Sequence, residues 1–347
     1  MKVRAFHGVN LAGWLTLEPW VTPELFADSG ALDEPTLVAS LGRDRYRKLV
    51  ESHRGSFMSQ TDFTQIAARG FNAVRLPVPW YTFGRRGPEP GPYVGCLRHI
   101  DNAFDWAEEV GLRVLLVMAI SPGSPEERAS LIRDQLDFKE YRTEMLDVMA
   151  ALAERYATRI GFLGIEVADD PVVQVRKGFT LTEGVAKHTL RNYYRDAYET
   201  IRGIAGDDVL VVLPDAGHPE LWRKFMAADS YHNVWLDCHL FHHRDRVETS
   251  GPSAVRTLVD QSRRYLDKAT KSGLPTMVGK WSAALPYAEA MMTPEGQIAL
   301  ARVYVSEQLT AFAGCSGWFF QAWKTSGRLV GWDARVALAT FERRMLA

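Results

Sequence analysis

The chain has 347 residues, of which 46% are hydrophobic and 24% are charged. This composition is typical of a globular protein and excludes a disordered, collagen-like or coiled-coil chain. Its 41 Lys and Arg residues balance 42 Asp and Glu residues, for a net charge of −1, so neither nucleic acid nor an anionic membrane is an expected partner. We therefore expect a small-molecule substrate or ligand in a pocket, and the sequence indicates no oligomeric state.

Short apolar runs and scattered cysteines bear on the location of the protein. The first residues, MKVRAFHGVNLAGW, reach polar and turn residues within a few positions, which predicts no signal peptide. The longest apolar runs are far shorter than the ~18 residues of a membrane-spanning helix. Cys96, Cys238 and Cys315 are widely spaced and form no CxxC motif, so no disulfide framework or zinc site is expected. These features predict a cytoplasmic protein.

Runs rich in β-branched residues alternate with longer amphipathic stretches from about residue 60 onward, the pattern of βα units around a parallel sheet. The predicted strands are Phe6–Leu11, Asn72–Pro77, Arg113–Ile120, Phe162–Ala168, Val209–Leu213, Val234–Leu240, Thr276–Val278 and Gly317–Ala322. The predicted helices, with apolar residues at i, i+3 and i+4, are Thr61–Arg69, Leu97–Val110, Phe138–Tyr156, Glu183–Ile204, Pro219–Met226, Ala254–Ser272, Pro294–Ala313 and Ala334–Met345.

Eight strands each followed by a helix predict an α/β fold, a single (β/α)8 TIM barrel domain spanning residues 1–347, with its chemistry at the carboxyl ends of the strands. No GxGxxG or GxxxxGK[ST] motif occurs between a strand and a helix, so no cofactor is expected.

The segment Gly8–Phe26, GVNLAGWLTLEPWVTPELF, resembles the opening of the glycoside hydrolase family 5 exo-β-1,3-glucanases and their bacterial relatives. The resemblance continues through His53–Trp80, Pro92–Val117, Leu152–Val167, Asn233–Phe241, Val278–Leu285 and Gly317–Gly327, so it covers essentially the whole chain. These glucanases are retaining enzymes on a (β/α)8 barrel, so the resemblance implies the fold that the periodicity predicts.

The chain departs from the family pattern at both catalytic positions. After the fourth strand the family has Asn-Glu-Pro, with the Glu as acid/base, whereas this chain has Asp169-Asp170-Pro171. After the seventh strand the family has Gly-Glu-Trp-Ser, with the Glu as nucleophile, whereas this chain has GKWS at residues 279–282, with Lys280 at the nucleophile position. Because an ammonium group can neither form a glycosyl ester nor stabilise an oxocarbenium-like centre, we expect retaining hydrolysis to be lost.

The resemblance also implies a partial sugar-binding shell around the catalytic candidates Asp170 and Lys280. The substrate-binding candidates are Glu18, Arg75, Asp169, His239, Phe241, Trp281, Gln321 and Trp323. The family has a sugar-binding His at the position of Ala119 and an aromatic platform at that of Gln321, and a charged helical stretch, Pro125–Asp134, replaces a loop that walls the cleft. Among the tryptophans we expect only Trp281 and Trp323 in the pocket. Those expected in core or wall packing are Trp14, Trp20, Trp80, Trp106, Trp235 and Trp318.

Arg75 holds the nucleophile in the family, and here it would face Lys280. Two such cations are costly unless Asp169, Asp170, Glu18 or an anionic ligand lies between them. Lys280 therefore has three alternative roles: an ion pair with Asp170 left from the lost chemistry, a substrate-binding cation, or an amine nucleophile or base.

The histidines at positions 239, 242 and 243 could suggest a metal site. Since His239 and His242 fall on opposite faces of a strand, we expect no metal here.

Three functions remain open. The first is an intracellular enzyme on a small polyoxygenated, carbonyl or acidic substrate, with Asp170 as general acid/base and Lys280 as electrostatic or covalent catalyst. The second is a non-catalytic pseudoenzyme that binds a saccharide or a protein. The third is residual β-glucan hydrolysis or transglycosylation through another carboxylate, and fold analogy does not choose among them.

Overall fold

A closed parallel barrel forms the centre of the molecule. The computed structural model describes residues 5–84, 93–120, 135–247, 251–286 and 293–339. The barrel strands are β1 (Phe6–Asn10), β2 (Ala73–Pro79), β3 (Arg113–Ile120), β4 (Phe162–Glu166), β7 (Leu210–Pro214), β8 (Val234–Leu240), β9 (Thr276–Trp281) and β10 (Gly317–Phe320). They pair in that order and close through a parallel pairing of β10 with β1. The predicted (β/α)8 barrel is therefore confirmed, with strand ends within three residues of those predicted.

A small antiparallel hairpin, β5 (Arg176–Lys177) and β6 (Thr180–Leu181), follows β4 outside the barrel. The helices are α1 (Glu34–Leu41), α2 (Arg43–Ser56), α3 (Gln60–Ala68), α4 (Leu97–Glu109), α5 (Gln135–Tyr156), α6 (Lys187–Ala205), α7 (Pro252–Ala269), α8 (Pro294–Ala311) and α9 (Ala334–Ala337). No helix in these ranges combines the length and the apolar composition that a membrane span needs.

Three helix predictions need correction. Helices α1 and α2 were not predicted. Helix α2 is rich in charged residues and buries little apolar surface besides Tyr46 and Val50, so its sequence shows only a weak apolar periodicity. The predicted helix Pro219–Met226 is only a 3₁₀ turn, Pro219–Trp222. The chain leaves the helical region at Arg223 and takes positive φ angles at Lys224 and Met226. The predicted stretch Pro125–Asp134 and the end of Ala334–Met345 lie outside the described residues.

Alternation of side chains along the strands divides the core into two layers. On β3, Leu115 and Val117 belong to the cluster inside the barrel, whereas Val114 and Leu116 pack in the larger cluster against the helices. Charged side chains replace apolar ones inside the barrel toward the carboxyl ends of the strands, beginning with the fully buried Arg75 on β2. The fold thus places the charges at the end where barrel enzymes carry their sites.

Candidate active site

A cavity of about 580 Å³ opens at the carboxyl ends of the barrel strands. Side chains after β4, β8 and β10 meet there with Lys280 of β9 and with the segment that follows β1. Its lining includes Glu18, Trp20, Leu32, Ala119, Asp169, Asp170, Phe241, Lys280, Gln321, Leu329 and Trp332. Six of the ten predicted site residues therefore share one cavity, and Arg75 and His239 contact its floor through Asp169 and Asp170.

A β-bulge in β9 determines which side chain of the GKWS motif faces the cavity. Val278 pairs with Cys238, and the next pair is Lys280 with His239, so Gly279 is an extra residue in β9. The register against β10 shifts at the same place. A bulge of this kind re-aims the side chains that follow it. Lys280 consequently points into the cavity, and Trp281 points outward toward the helices.

Lys280 connects two carboxylates at the floor of the cavity. Its Nζ donates to Asp169 Oδ2 at 2.6 Å and to Asp170 Oδ2 at 2.8 Å. Burial alone would lower the pKa of Lys280, but the two carboxylates outweigh it and raise that pKa above its ordinary value. The side chain is therefore an ammonium ion at neutral pH, which favours a fixed-cation role over an amine nucleophile.

Arg75 is held by a second set of carboxylates. Its Nε and Nη2 donate to the two oxygens of Glu166 at 2.8 and 2.6 Å, and Nη2 also donates to Asp169 Oδ1 at 2.9 Å. Asp169 therefore lies between the cations Arg75 and Lys280. The protein itself thus supplies a carboxylate between the two cations, and the site needs no anionic ligand to separate them.

His239 links Asp170 to a carboxylate deeper in the barrel. Its Nδ1 is hydrogen-bonded to Asp170 Oδ1, and its Nε2 lies 2.9 Å from Asp237 Oδ2. Burial would lower the pKa of His239, but Asp170 and Asp237 raise it to about 10. Burial likewise would raise the pKa of Asp170, but His239 and Lys280 hold it well below its usual range. Asp170 is therefore an ionised carboxylate, poorly suited to donate a proton at neutral pH.

The position of the Asp237 carboxylate requires a glycine at position 279. A Cβ at this position would lie 1.9 Å from Asp237 Oδ2, and the Gly279 backbone N–H donates to Asp237 Oδ1. The glycine thus both permits the bulge and fixes the carboxylate that orients His239.

Glu166, Asp169 and His239 bring one ligand atom each to within 4.8 Å of one another, a spacing that could hold a metal ion. Arg75 already donates to both carboxylates, however, and both ring nitrogens of His239 contact other carboxylates. A divalent cation would have to displace the guanidinium, so these residues suit an ion-pair network better than a metal.

Two predicted aromatic contacts are wrong. Trp281 is fully buried, with its ring 4.9 Å from Phe320 and 5.3 Å from Phe312. Trp323 is also fully buried, and its Nε1 donates to Asp62 Oδ1 at 2.9 Å. Both rings pack between the strands and the helices, because the bulge in β9 and the path after β10 turn them away from the cavity.

Other aromatic residues line the cavity instead. The rings of Trp20 and Trp332 lie 5.1 Å apart at 57°, and Phe241 lies 5.5 Å from Trp332. Trp20, which we expected in packing, has 37% of its surface exposed. Trp332 was missed, because it lies in a long segment after β10 where no periodicity predicts the direction of a side chain.

Glu18 and Gln321 add hydrogen-bonding groups to the cavity. Glu18 accepts from Trp20 Nε1 at 2.9 Å and from the Gly13 N–H at 3.1 Å. Burial raises the pKa of Glu18, and Lys280 opposes this effect. Gln321 is 5% exposed, and its Oε1 finds no hydrogen-bond partner in the described part of the protein. The oxygen itself is buried, although the Gln321 side chain belongs to the lining of the cavity.

Comparisons with known proteins identify the class of this barrel. Residues 48–304 match the profile of the cellulase family, glycosyl hydrolase family 5. A probable glucan 1,3-beta-glucosidase A of Aspergillus clavatus is 32% identical, with 96% of this chain and 86% of that protein covered. Its counterpart in Aspergillus fumigatus is 30% identical over the same shares. The chain belongs to glycoside hydrolase family 5.

Solved structures agree on the fold. The rutinosidase from Aspergillus niger superposes with a TM-score of 0.77 at 16% identity, with 96% of this chain and 94% of that one covered. A family 5 enzyme from Prevotella bryantii superposes with a TM-score of 0.64 at 15% identity. At these identities the likeness shows the barrel alone.

The ion pair of Lys280 should be coupled to Asp169. Lys280→Met leaves two carboxylates without their shared partner, so we expect the free energy of unfolding to fall by about 3–5 kcal/mol. In the double variant Asp169→Asn/Lys280→Met the loss should be smaller than the sum of the single losses. Urea denaturation at pH 7 measures both, with Lys271→Met, an exposed lysine, as control. A Lys280→Met variant as stable as that control would contradict the assigned contacts.

The histidine should make stability depend on pH. Because the pKa of His239 is raised from 6.5 to about 10, its contribution is complete below pH 6.5 and is lost as the pH rises through 10. The difference in unfolding free energy between the natural protein and His239→Gln should therefore shrink from pH 7 to 10, by up to about 1.4 kcal/mol per pH unit. Denaturation curves at several pH values check this, and a constant difference would refute it.

Proposed function

We propose that this protein binds a saccharide in the mouth of the barrel and does not hydrolyse it by the retaining mechanism. One observation carries the proposal: Lys280 Nζ lies 2.6 and 2.8 Å from the carboxylates of Asp169 and Asp170. By resemblance to the family, Lys280 and Asp170 stand at the nucleophile and acid/base positions. The two carboxyl groups that retaining hydrolysis needs, ~5–5.5 Å apart, are thus replaced by an ion pair.

The protonation states support this proposal. An ionised Asp170 has no proton to give to a leaving oxygen, and its pKa lies well below the usual range. An ammonium at position 280 repels the positive charge that develops on the sugar ring in the transition state. Both halves of the reaction are therefore opposed by charge.

The lining of the cavity supports saccharide binding. Sugars present hydroxyl groups and flat C–H faces, which hydrogen-bonding groups and aromatic rings recognise respectively. Glu18 offers an acceptor, Lys280 offers a donor, Gln321 adds an amide to the lining, and Trp20 and Trp332 offer rings. Since the most similar relatives described above are named glucan 1,3-beta-glucosidases, we propose a β-linked glucose unit as the recognised group.

A second candidate is catalysis on a small polyoxygenated or carbonyl substrate. One observation favours it: Glu18 lines the same cavity as Lys280, and burial raises the pKa of this carboxyl group. Glu18 would then hold the proton, in place of Asp170, and Lys280 would stabilise a developing negative charge as a fixed cation. Loss of turnover in Glu18→Gln with ligand binding retained would support this candidate over simple binding.

Binding without turnover is the outcome expected from a β-1,3-linked glucose oligosaccharide. Isothermal titration should give a measurable dissociation constant, and glucose release should not exceed that of a Lys280→Ala control. Gln321→Leu removes a hydrogen-bonding amide from the cavity lining and should weaken binding about 3–10-fold, whereas Gln60→Leu, on the exposed surface of α3, should leave it unchanged. Glucose release above the control would overturn the loss of hydrolysis, and the absence of any binding heat would overturn saccharide recognition.

Restoring the family residues should expose the role of Asp169. Asp170→Glu/Lys280→Glu would return both catalytic groups but would set the new carboxylate against Asp169, which now contacts Lys280. The triple variant with Asp169→Asn added removes that repulsion and should hydrolyse an aryl β-glucoside faster than the double variant. Both should remain slow, because Ala119 and Gln321 stand where the resemblance implies a sugar-binding His and an aromatic platform. A double variant as active as the triple would show that Asp169 does not govern this site.

A further inference from the structure

The cavity has a charged floor and an apolar mouth. Its polar lining residues Asp169 and Lys280 are buried, whereas the apolar lining residues Leu32, Leu329 and Trp20 are 78%, 41% and 37% exposed. Single exposed apolar side chains are common, but a group of them around one cavity marks a binding surface. The two halves of the cavity therefore present different chemistry to a ligand.

The fold does not account for the two leucines at the mouth. Leu32 serves the start of α1 through its backbone N–H, which donates to Thr36 Oγ1 at 3.2 Å. Leu329 likewise uses its backbone, whose N–H donates to Thr325 Oγ1 at 3.0 Å and whose carbonyl accepts from the N–H of Asp333 at 2.8 Å. Any residue type except proline could make these backbone contacts. Neither of them uses the apolar side chain, so in the part of the chain that the structure describes these contacts do not explain a leucine at either position.

We propose that the ligand is an amphiphilic glycoside, whose sugar lies on the charged floor and whose alkyl aglycone lies against Leu32, Leu329 and Trp332 at the mouth. This inference rests on the proposed saccharide recognition and adds the substrate class. An alkyl chain is favoured because the most exposed apolar residue of the lining is a leucine, Leu32, which offers contact area without a planar face for stacking. A cavity of about 580 Å³ is within the size range of sites that enclose ligands larger than one sugar.

Two glucosides that differ only in the aglycone test the proposal. Octyl β-glucoside, kept below its critical micelle concentration, should bind at least about 10-fold more tightly than methyl β-glucoside, since several methylene groups leave water. Isothermal titration measures the affinity for octyl β-glucoside. Displacement of bound octyl β-glucoside by methyl β-glucoside measures the affinity for methyl β-glucoside. The variant Leu32→Ser/Leu329→Ser should bring the two affinities within about twofold of each other and leave that for methyl β-glucoside unchanged.

A matched control comes from the opposite end of the barrel. Ile160 is 85% exposed just before β4 begins, so Ile160→Ser removes a similar apolar area and should leave both affinities unchanged. Thermal unfolding of each variant confirms that it is folded.

Each remaining outcome identifies what fails. Equal affinity for the two glucosides would refute the proposal of an amphiphilic ligand and leave saccharide recognition intact. Failure of both glucosides to bind would refute the proposed function itself. Octyl binding that persists in Leu32→Ser/Leu329→Ser would refute the assignment of the mouth. Binding of 1-octanol as tightly as octyl β-glucoside would show that the floor does not recognise the sugar.

Discussion

The carboxylate of Asp169, held between Arg75 and Lys280, is the contact on which the rest of the site depends. It belongs to a series of ion pairs in which the sign of the charge alternates from one residue to the next. Six residues form a ring in the order Arg75, Asp169, Lys280, Asp170, His239 and Asp237, which closes where Arg75 Nη2 lies 3.9 Å from Asp237 Oδ2. Glu166 is attached to this ring through Arg75, and burial raises the pKa of Glu166 to about 8. Every member of the ring has an opposite charge on both sides. An isolated charge at this depth would cost far more than an exposed one.

The resemblance to the family implies that positions 169 and 280 both depart from its pattern, and this alternation accounts for the two departures together. A lysine at position 280 beside an uncharged residue at 169 would face Arg75 with no carboxylate between the two cations. An aspartate at 169 beside a glutamate at 280 would place two carboxylates in contact. With Asp169 and Lys280 both present, each satisfies the other, and Asp170 and His239 extend the pairing toward the cavity. The charges at the two positions are therefore best understood as one change, made in two residues.

The barrel, its eight strands and the residues at their carboxyl ends could be predicted, because periodicity and the handedness of βα units restrict the fold strongly. The direction of individual side chains could not. In the GKWS motif one extra residue, Gly279, decides that Lys280 faces the cavity and Trp281 does not, and only the pairing with both neighbouring strands reveals it. The direction of the Trp332 side chain is harder still to predict, since it depends on the path of a segment without regular structure. Helix α2 was not predicted, because its exposed surface is charged and its apolar stripe is short.

The balance of charge also limits what the cavity can accept. Three cations, Arg75, Lys280 and His239, stand among the carboxylates of Asp169, Asp170 and Asp237, before Glu18 is added at the wall. Glu166 adds little charge at neutral pH, because burial raises its pKa to about 8. The floor therefore has no surplus positive charge, although Lys280 alone would have suggested an acidic ligand. An anion at the floor would have to compete with carboxylates that already hold Arg75, Lys280 and His239 at hydrogen-bonding distance. A neutral molecule with many hydroxyl groups meets no such competition, because hydroxyls both donate to the carboxylates and accept from the ammonium. The electrostatics of the floor and the apolar mouth thus favour the same kind of ligand, uncharged, polar at one end and apolar at the other.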